Sequence, residues 1–330
     1  MKIIEPNINS VFKIKNLKEF NEIALEIFRY QATNNLVYQE YISLLNINPL
    51  EITKVEEIPF LPISFFKTHK VTCKNSEEKI FKSSGTTLNT RSNHYVYSLE
   101  LYKKSFVKSF EYFFGDLQEY TFLALLPSYQ EQGDSSLIYM MDYFINKTKQ
   151  NGSAYFLSND LELDQKIKEL EKKQTKYILF GVSYALLDFK DKFSQQMNFG
   201  KIMETGGMKG RRKELTKEEL HGELKNGYGV SSIFSEYGMT ELLSQAYFIE
   251  NNKFNPPPWM KIFIRNTTDP FQQMPIDKRG LINVIDLANI YSCCFIATDD
   301  IGQSFQNASF SVLGRFDAAD IRGCNLMVKG

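Results

Sequence analysis

The sequence predicts an α/β chain: a largely parallel sheet flanked by helices, followed by a smaller β-rich region. Three observations predict it. Between about residues 79 and 234, short apolar runs closed by Pro, Gly or polar residues alternate with amphipathic stretches, the pattern of crossover units in a parallel sheet. After residue 250 the character changes, with Pro256-Pro257-Pro258 as punctuation and short apolar runs set between turn signals. Hydrophobic residues make up 43% of 330 residues, enough for a sizeable core in one large domain or two modest ones.

Each element has its own signal. Residues 1–70 read as helical and Lys/Glu-rich, and end at Ile58-Pro59-Phe60-Leu61-Pro62, whose prolines break helix. Residues 79–87 read as a strand running into a polar, Gly-containing loop. Residues 98–114 place Tyr102, Phe106, Phe110 and Phe113 on one helical face. Thr121 to Leu126 is a buried strand ended by Pro127. Ser135 to Ile145 is a helix with Asp134 as its expected N-cap, and Leu163 to Lys173 a charged helix. Tyr177 to Val182 and Phe199 to Glu204 are strands, the second leading into Thr205-Gly206-Gly207. Lys213 to Leu224 is a helix and Val230 to Phe234 a fourth strand. Apolar runs at Ile262–Ile264, Leu281–Ile285 and Cys294–Ala297 supply the β-rich part. The expected division is a helical segment at 1–70, an α/β core at 71–250, and a β-rich region at 251–330 with a tail carrying Cys324. No internal repeat is visible.

Charge and cysteine usage exclude several classes. The 39 basic and 39 acidic residues cancel, so no global field favours nucleic acid or an anionic membrane. No segment approaches the roughly 20 apolar residues of a spanning helix. Charges are scattered through the N-terminus, which argues against a signal peptide. Four cysteines without CxxC spacing and three histidines argue against zinc. Reduced thiols and a cytoplasmic location are expected.

Five polar segments carry the chemistry, and each has a plain structural alternative. Ser83-Ser84-Gly85-Thr86-Thr87, with Arg91 four residues on, offers hydroxyls, a backbone nest and a cation to a phosphate; an ordinary polar turn uses the same residues. Glu236-Tyr237-Gly238-Met239-Thr240-Glu241 follows a predicted strand, where open parallel sheets bind ligands. There Tyr237 offers a flat face to a base, Thr240 a hydroxyl to phosphate, and Glu241 a hard oxygen to Mg²⁺; a helix N-terminal turn capped by a carboxylate is the alternative. Thr298-Asp299-Asp300-Ile301-Gly302 offers a carboxylate to both hydroxyls of a ribose, or is a turn between strands. Leu313-Gly314-Arg315-Phe316-Asp317 reads as a hairpin turn. Cys324, close to Arg322, is a candidate nucleophile if ionised, or a small buried residue.

The order of these segments resembles the adenylate-forming superfamily of acyl-CoA and phenylacetate-CoA ligases: a Ser/Thr/Gly-rich phosphate loop, a Gly-Gly turn (Gly206-Gly207), a Y-G-x-T-E block (Tyr237–Glu241), a T-x-D block (Thr298–Asp300) and a G-R-x-D block (Gly314–Asp317). Closest of all, it resembles the acyl-protein synthetase (LuxE-type) family of bacterial luciferase systems. That likeness rests on SSGTT followed by Arg91-Ser92-x-His94, Gly206–Arg211, EYGMTEL, ATDDIG and the ending R-G-C-N-L-M-V, and covers the chain from about residue 50. The resemblance implies an adenylate-forming large N-terminal domain with mixed and parallel sheets, acting as a nucleotide-binding core. It implies a cytoplasmic ligase that uses ATP and Mg²⁺ to make an acyl-adenylate from a carboxylic acid, expected to be a fatty acid. It implies that Ser83, Ser84, Gly85, Thr86 and Thr87 hold the ATP phosphates, with Arg91 the nearest extra charge. Gly206, Gly207, Tyr237 and Gly238 then line the adenine, Thr240 touches the α-phosphate and Glu241 binds Mg²⁺. Asp300 takes the ribose hydroxyls, Arg315 closes over the nucleotide, and Cys324 accepts the acyl group as a thioester for an acyl-accepting or acyl-reducing protein partner. Two departures stand out: Thr87 is followed by Leu88-Asn89-Thr90 where the superfamily loop continues with Gly and a Lys, and the sequence stops soon after the GRFD block, so the mobile C-terminal domain with its catalytic lysine is expected to be absent. An acyl-CoA ligase or acyltransferase of the same fold, and a non-catalytic nucleotide-binding scaffold subunit, stay open at this point.

Overall fold

The computed structural model describes residues 4–84, 91–126, 133–157, 160–193, 196–207, 211–213, 215–249 and 253–316. The chain divides into two compact units: Met1–Tyr102 with Glu241–Ser244 and Asn252–Gly330, and Lys103–Thr240 with Gln245–Asn251.

The first unit opens with helices α1 (Ile8–Val11), α2 (Leu17–Asn34) and α3 (Leu36–Leu44). Asparagines begin all three: Asn7, Asn16 and Asn35 each accept a backbone N–H of the first turn, which satisfies one of the donors a helix start leaves open. A short strand β1 (Leu61–Pro62) and helix α4 (Phe65–Thr68) follow. Strands β2 (Lys79–Lys82) and β3 (Asn93–Val96) form an antiparallel hairpin, the strand expected at residues 79–87 being its first arm.

Helix α5 (Leu99–Phe114) leads into the second unit. The aromatic face read from its sequence is the face that packs: Phe106 and Phe110 are buried, and their rings lie 5.4 Å and 5.3 Å from Phe144. The alternation then runs as β4 (Thr121–Leu125), α6 (Ser136–Lys147), β5 (Ala154–Tyr155), α7 (Asp160–Lys172), β6 (Tyr177–Val182), α8 (Ser183–Lys192), β7 (Gly200–Thr205), α9 (Lys217–Tyr228), β8 (Ile233–Tyr237) and β9 (Ala246–Phe248). The strand order is β9-β8-β7-β6-β4-β5; β9 alone runs antiparallel to its neighbour. β4 and β6 are buried at every position, as parallel strands covered on both faces require.

Several boundaries differ from the sequence reading. Ser135, not Asp134, caps α6, its hydroxyl accepting the Ile138 N–H. Helix α9 lies four residues later than expected because Thr216 and Glu219 form a capping box at its start and Gly229, in the left-handed conformation at φ 64°, ends it. That shift carries β8 forward to Tyr237. Helix α8 was not read from the sequence; its start, Ser183, is continuous with the apolar run of β6.

The chain re-enters the first unit as β10 (Phe254–Asn255), β11 (Met260–Arg265), β12 (Arg279–Asp286), β13 (Phe295–Ser304) and β14 (Phe310–Arg315). These run antiparallel in the order β11-β12-β13-β14-β10, and β1 joins β13 in parallel. Phe295 anchors the core, with the rings of Phe28, Tyr38 and Phe60 at 5.9, 6.2 and 6.4 Å.

Candidate active site

In the second unit, parallel pairing places the carboxyl ends of β6, β7 and β8 on one edge. β7 ends at Thr205 and turns at Gly206, whose φ of 71° a side chain would resist. Gly206 and Gly207 are both exposed, and Ser183 Oγ lies 3.3 Å from the Gly206 carbonyl. One strand over, β8 ends at Tyr237, which is buried, and Gly238 is exposed. This is the edge where open parallel sheets bind ligands. It assembles four of the sequence-predicted residues, Gly206, Gly207, Tyr237 and Gly238, with half-buried Thr240 two residues beyond.

Beneath these turns lie two buried glutamates on neighbouring strands. Glu204 accepts a hydrogen bond from Ser183 Oγ at 2.9 Å, is paired with Lys217, and has His221 Nε2 at 3.5 Å. Burial works to raise its pKa, but Lys217, His221 and Ser235 together hold it down at about 2. Glu236 is different. Burial pushes its pKa up to about 7 and the Glu204 charge adds to the rise, against one hydrogen bond from Thr205 Oγ1 at 2.6 Å. One carboxylate is thus firmly ionised and its neighbour titrates near neutrality, as expected when like charges share a dry site. The absence of a side chain at Gly238 makes room for this: a Cβ there would stand 2.3 Å from Glu236 Oε1.

In the first unit, Glu241 is almost fully buried, at 4% exposure. Burial raises its pKa; a hydrogen bond from Ser92 and the charges of Arg315 and Lys67 oppose the rise. Its backbone is clamped. Asn289 Nδ2 donates to the Glu241 carbonyl at 2.8 Å. Asp286 accepts from Leu243 N at 2.8 Å, Ser244 N at 2.9 Å and Ser244 Oγ at 2.6 Å. Across β13 and β14, Asp300 lies in register with Arg315. The strand that carries Asp300 is fixed by Thr298, whose hydroxyl donates to the Ile282 carbonyl and accepts the Asp300 N–H, and by buried Arg265, which donates to the Thr298 carbonyl at 2.7 Å. Asp300 is half-buried and Arg315 exposed, so both side chains have access to solvent. Among the described residues no cluster of three or more His, Cys, Asp and Glu forms a metal cage. Glu241 supplies the single buried carboxylate here, and Mg²⁺ is commonly held by one or two carboxylates together with phosphate oxygens.

The hairpin β2–β3 runs up to Ser84 and returns from Arg91. Its ladder extends beyond the strands: Ser83 N donates to the Ser92 carbonyl at 3.1 Å, and Ser92 N to Ser83 Oγ at 2.9 Å. Arg91 Nε donates to the Ser83 carbonyl at 2.6 Å, so part of its guanidinium bonding holds the hairpin. Gly85, Thr86, Thr87 and Cys324 lie outside the described residues.

No protein-family model and no curated protein matches the sequence. Solved structures do. A 2-hydroxyisobutyryl-CoA ligase in complex with 2-HIB-AMP and CoA superposes with a TM-score of 0.70 at 11% identity, covering 92% of this chain and 70% of that one. ATP-bound MatB from Rhodopseudomonas palustris gives 0.53 at 15% identity over 73% of this chain. O-succinylbenzoate coenzyme A synthetase (MenE) from Bacillus subtilis, in complex with ATP and magnesium, gives 0.51 at 17% identity over 72% of this chain. The fold is that of an adenylate-forming ligase. The chain spans 49% of the length of MatB and of MenE.

Sequence reading missed several residues around these positions. Glu204 and Glu236 sit beside Thr205-Gly206-Gly207 and Tyr237-Gly238 and received no role, because a glutamate inside an apolar run gives no sign of what it pairs with. Lys217 and His221 come from the first turns of α9. Their 4-residue spacing on one helical face was the available signal. Asp286 caps and Asn289 ends a short 3₁₀ turn at Leu287–Asn289, and neither belongs to a motif.

Proposed function

We propose that this chain is an ATP-dependent ligase that activates a carboxylic acid as its acyl-adenylate and passes the acyl group to a thiol. The observation that carries the reading is the β7–β8 edge on an adenylate-forming fold: two exposed glycine turns, Gly206-Gly207 and Gly238, above a fixed acid pair, leading directly to Thr240 and the clamped Glu241. Glycines permit the close approach of a flat base and its phosphates, and Tyr237 closes the strand between them.

The residue roles follow the family resemblance. Gly206, Gly207, Tyr237 and Gly238 line the adenine, Asp300 takes the ribose hydroxyls, and Thr240 contacts the α-phosphate. Ser83, Ser84, Gly85, Thr86 and Thr87 hold the phosphates together with Arg91. Glu241 holds Mg²⁺, which when bound neutralises phosphate charge. Arg315, exposed at the end of β14, swings over the nucleotide. A substrate carboxylate oxygen attacks the α-phosphorus. The bond from that phosphorus to the bridging oxygen breaks, and pyrophosphate leaves. Catalysis is positioning and charge neutralisation. The Cys324 thiolate then attacks the acyl carbonyl, the bond to the AMP oxygen breaks, and a thioester forms. An acyl-accepting or acyl-reducing protein partner takes it from there. The acid is proposed to be a fatty acid and the location cytoplasmic. Among the described residues no helix is long and apolar enough to cross a membrane.

Coenzyme A is the alternative acceptor, favoured by its presence in the 2-hydroxyisobutyryl-CoA ligase complex. Intact-protein mass spectrometry after incubation with ATP, Mg²⁺ and a panel of acids separates the two. A covalent acyl adduct that disappears in Cys324→Ser supports the protein thioester. Acyl-CoA made with no adduct overturns it in favour of CoA.

A further inference from the structure

The Arg91-Ser92-x-His94 run was singled out by sequence, and the proposed chemistry leaves Ser92 and His94 without a task. Both belong to the returning arm of the β2–β3 hairpin, two residues apart and so on one face. Both are buried, at 2% and 1% exposure. Ser92 hydrogen-bonds to the Glu241 carboxylate. His94 Nε2 lies 3.1 Å from Asn289 Oδ1, and Asn289 Nδ2 donates to the carbonyls of Glu241, at 2.8 Å, and Cys293, at 2.9 Å. The orientation of this amide is fixed by its partners. With both Nδ2 protons committed to carbonyls, Oδ1 is the acceptor, and His94 Nε2 must carry its proton. Phe66 packs edge-on against the imidazole at 5.8 Å and holds the ring plane.

We infer that His94 and Asn289 are positioning residues for Glu241, coupling the hairpin that carries the phosphate loop to the carboxylate that receives the metal. Ser92 grips the Glu241 side chain and the His94–Asn289 pair grips its backbone. The two hydrogen-bonded routes leave from the same face of the same strand. A buried carboxylate held at both ends loses little freedom when a cation arrives, which is how outer partners raise metal affinity. This inference rests on the assignment of Glu241 as the metal carboxylate in the proposed ligase.

The test measures ATP binding by calorimetry across a Mg²⁺ titration, alongside ATP–pyrophosphate exchange, in the full chain and in His94→Leu, His94→Gln and Asn289→Leu. Leu removes the donor. Gln keeps an N–H that can reach Asn289. His94→Leu and Asn289→Leu are expected to raise the Mg²⁺ concentration for half-maximal ATP binding by about tenfold, with metal-free ATP binding unchanged. His94→Gln is expected to restore most of the loss. Thermal melts identify any variant that has simply lost its fold, and His94→Gln then decides. A wild-type Mg²⁺ dependence in His94→Leu, or equal damage from Gln and Leu in folded protein, overturns the inference. If the wild type binds Mg-ATP but exchanges pyrophosphate with no acid, the ligase reading fails while the binding titrations still decide the role of His94. If it binds no Mg-ATP, both fail.

Discussion

Thr205 Oγ1 donates to Glu236 Oε2 at 2.6 Å, tying the last residue of β7 to the penultimate residue of β8. The bond sits directly below the exposed glycine turns, and Glu236 is the group there whose charge changes near neutrality.

That titration has a defined sign. The Glu236 pKa rises on folding from its ordinary 4.5 to about 7, so the folded chain holds a proton that the unfolded chain releases. Stability therefore falls as pH climbs from about 4.5 to 7, at about 1.4 kcal/mol per unit, and levels off above. Glu204 runs the other way. Its pKa is lowered to about 2, so its contribution is full above 4.5 and is lost as pH falls toward 2. Urea unfolding at pH 5 and pH 8 checks this. Glu236→Gln should reduce the wild-type loss between those two pH values by roughly 2–3 kcal/mol.

Gly238→Ala should be disproportionately damaging for so small a change. The new Cβ would meet Glu236 Oε1 at 2.3 Å and Gln245 Cγ at 3.5 Å. The carboxyl group must shift within its buried site, at about 1–3 kcal/mol for an overpacked site. Combining Gly238→Ala with Glu236→Ala removes the obstruction, and a double-mutant cycle in urea should show positive coupling.

Lys217→Met should strand the Glu204 charge in a fully buried site. Lys217 is its charged partner from α9, with Ser183 and His221 left behind. Breaking a buried pair from one side costs about 3–5 kcal/mol, with the remaining hydrogen bonds placing this case toward the low end. Lys217→Met with Glu204→Gln should recover much of the loss, as measured by urea midpoint.

What was legible in the sequence follows from what each feature depends on. The parallel strands were readable because buried strands are continuous apolar runs: Tyr177–Val182 was read and observed with the same limits. The β8 limit was misread because the strand, Ile233–Tyr237, takes in the polar Ser235 and Glu236 and starts only after Gly229 has closed α9 and Ser231-Ser232 have passed. The glycine turns and the Y-G-x-T-E block were readable because their residue types are local. Glu204, Glu236, Asp286 and Asn289 were not, since their importance lies in partners distant along the chain: Lys217, Thr205, Ser244 and His94. Burial of a carboxylate is a tertiary fact that no local pattern carries.

Asp286→Ala should be among the most destabilising single changes in the first unit. Its carboxylate accepts the N–H groups of Leu243, Ser244 and Ala288 and the Ser244 hydroxyl, and each buried donor left without a partner costs about 1–3 kcal/mol. Limited proteolysis and urea unfolding should show loss of the cooperative transition at moderate denaturant, where Asp286→Asn retains part of it.

Acid-dependent exchange of labelled pyrophosphate into ATP, run on the wild type and on Glu241→Gln, probes the adenylation reading most directly. Exchange should appear only when a suitable carboxylic acid and Mg²⁺ are both present, and should fall by about two orders of magnitude in folded Glu241→Gln. Exchange that needs no acid, its absence across the whole panel, or an undiminished rate in Glu241→Gln would contradict it.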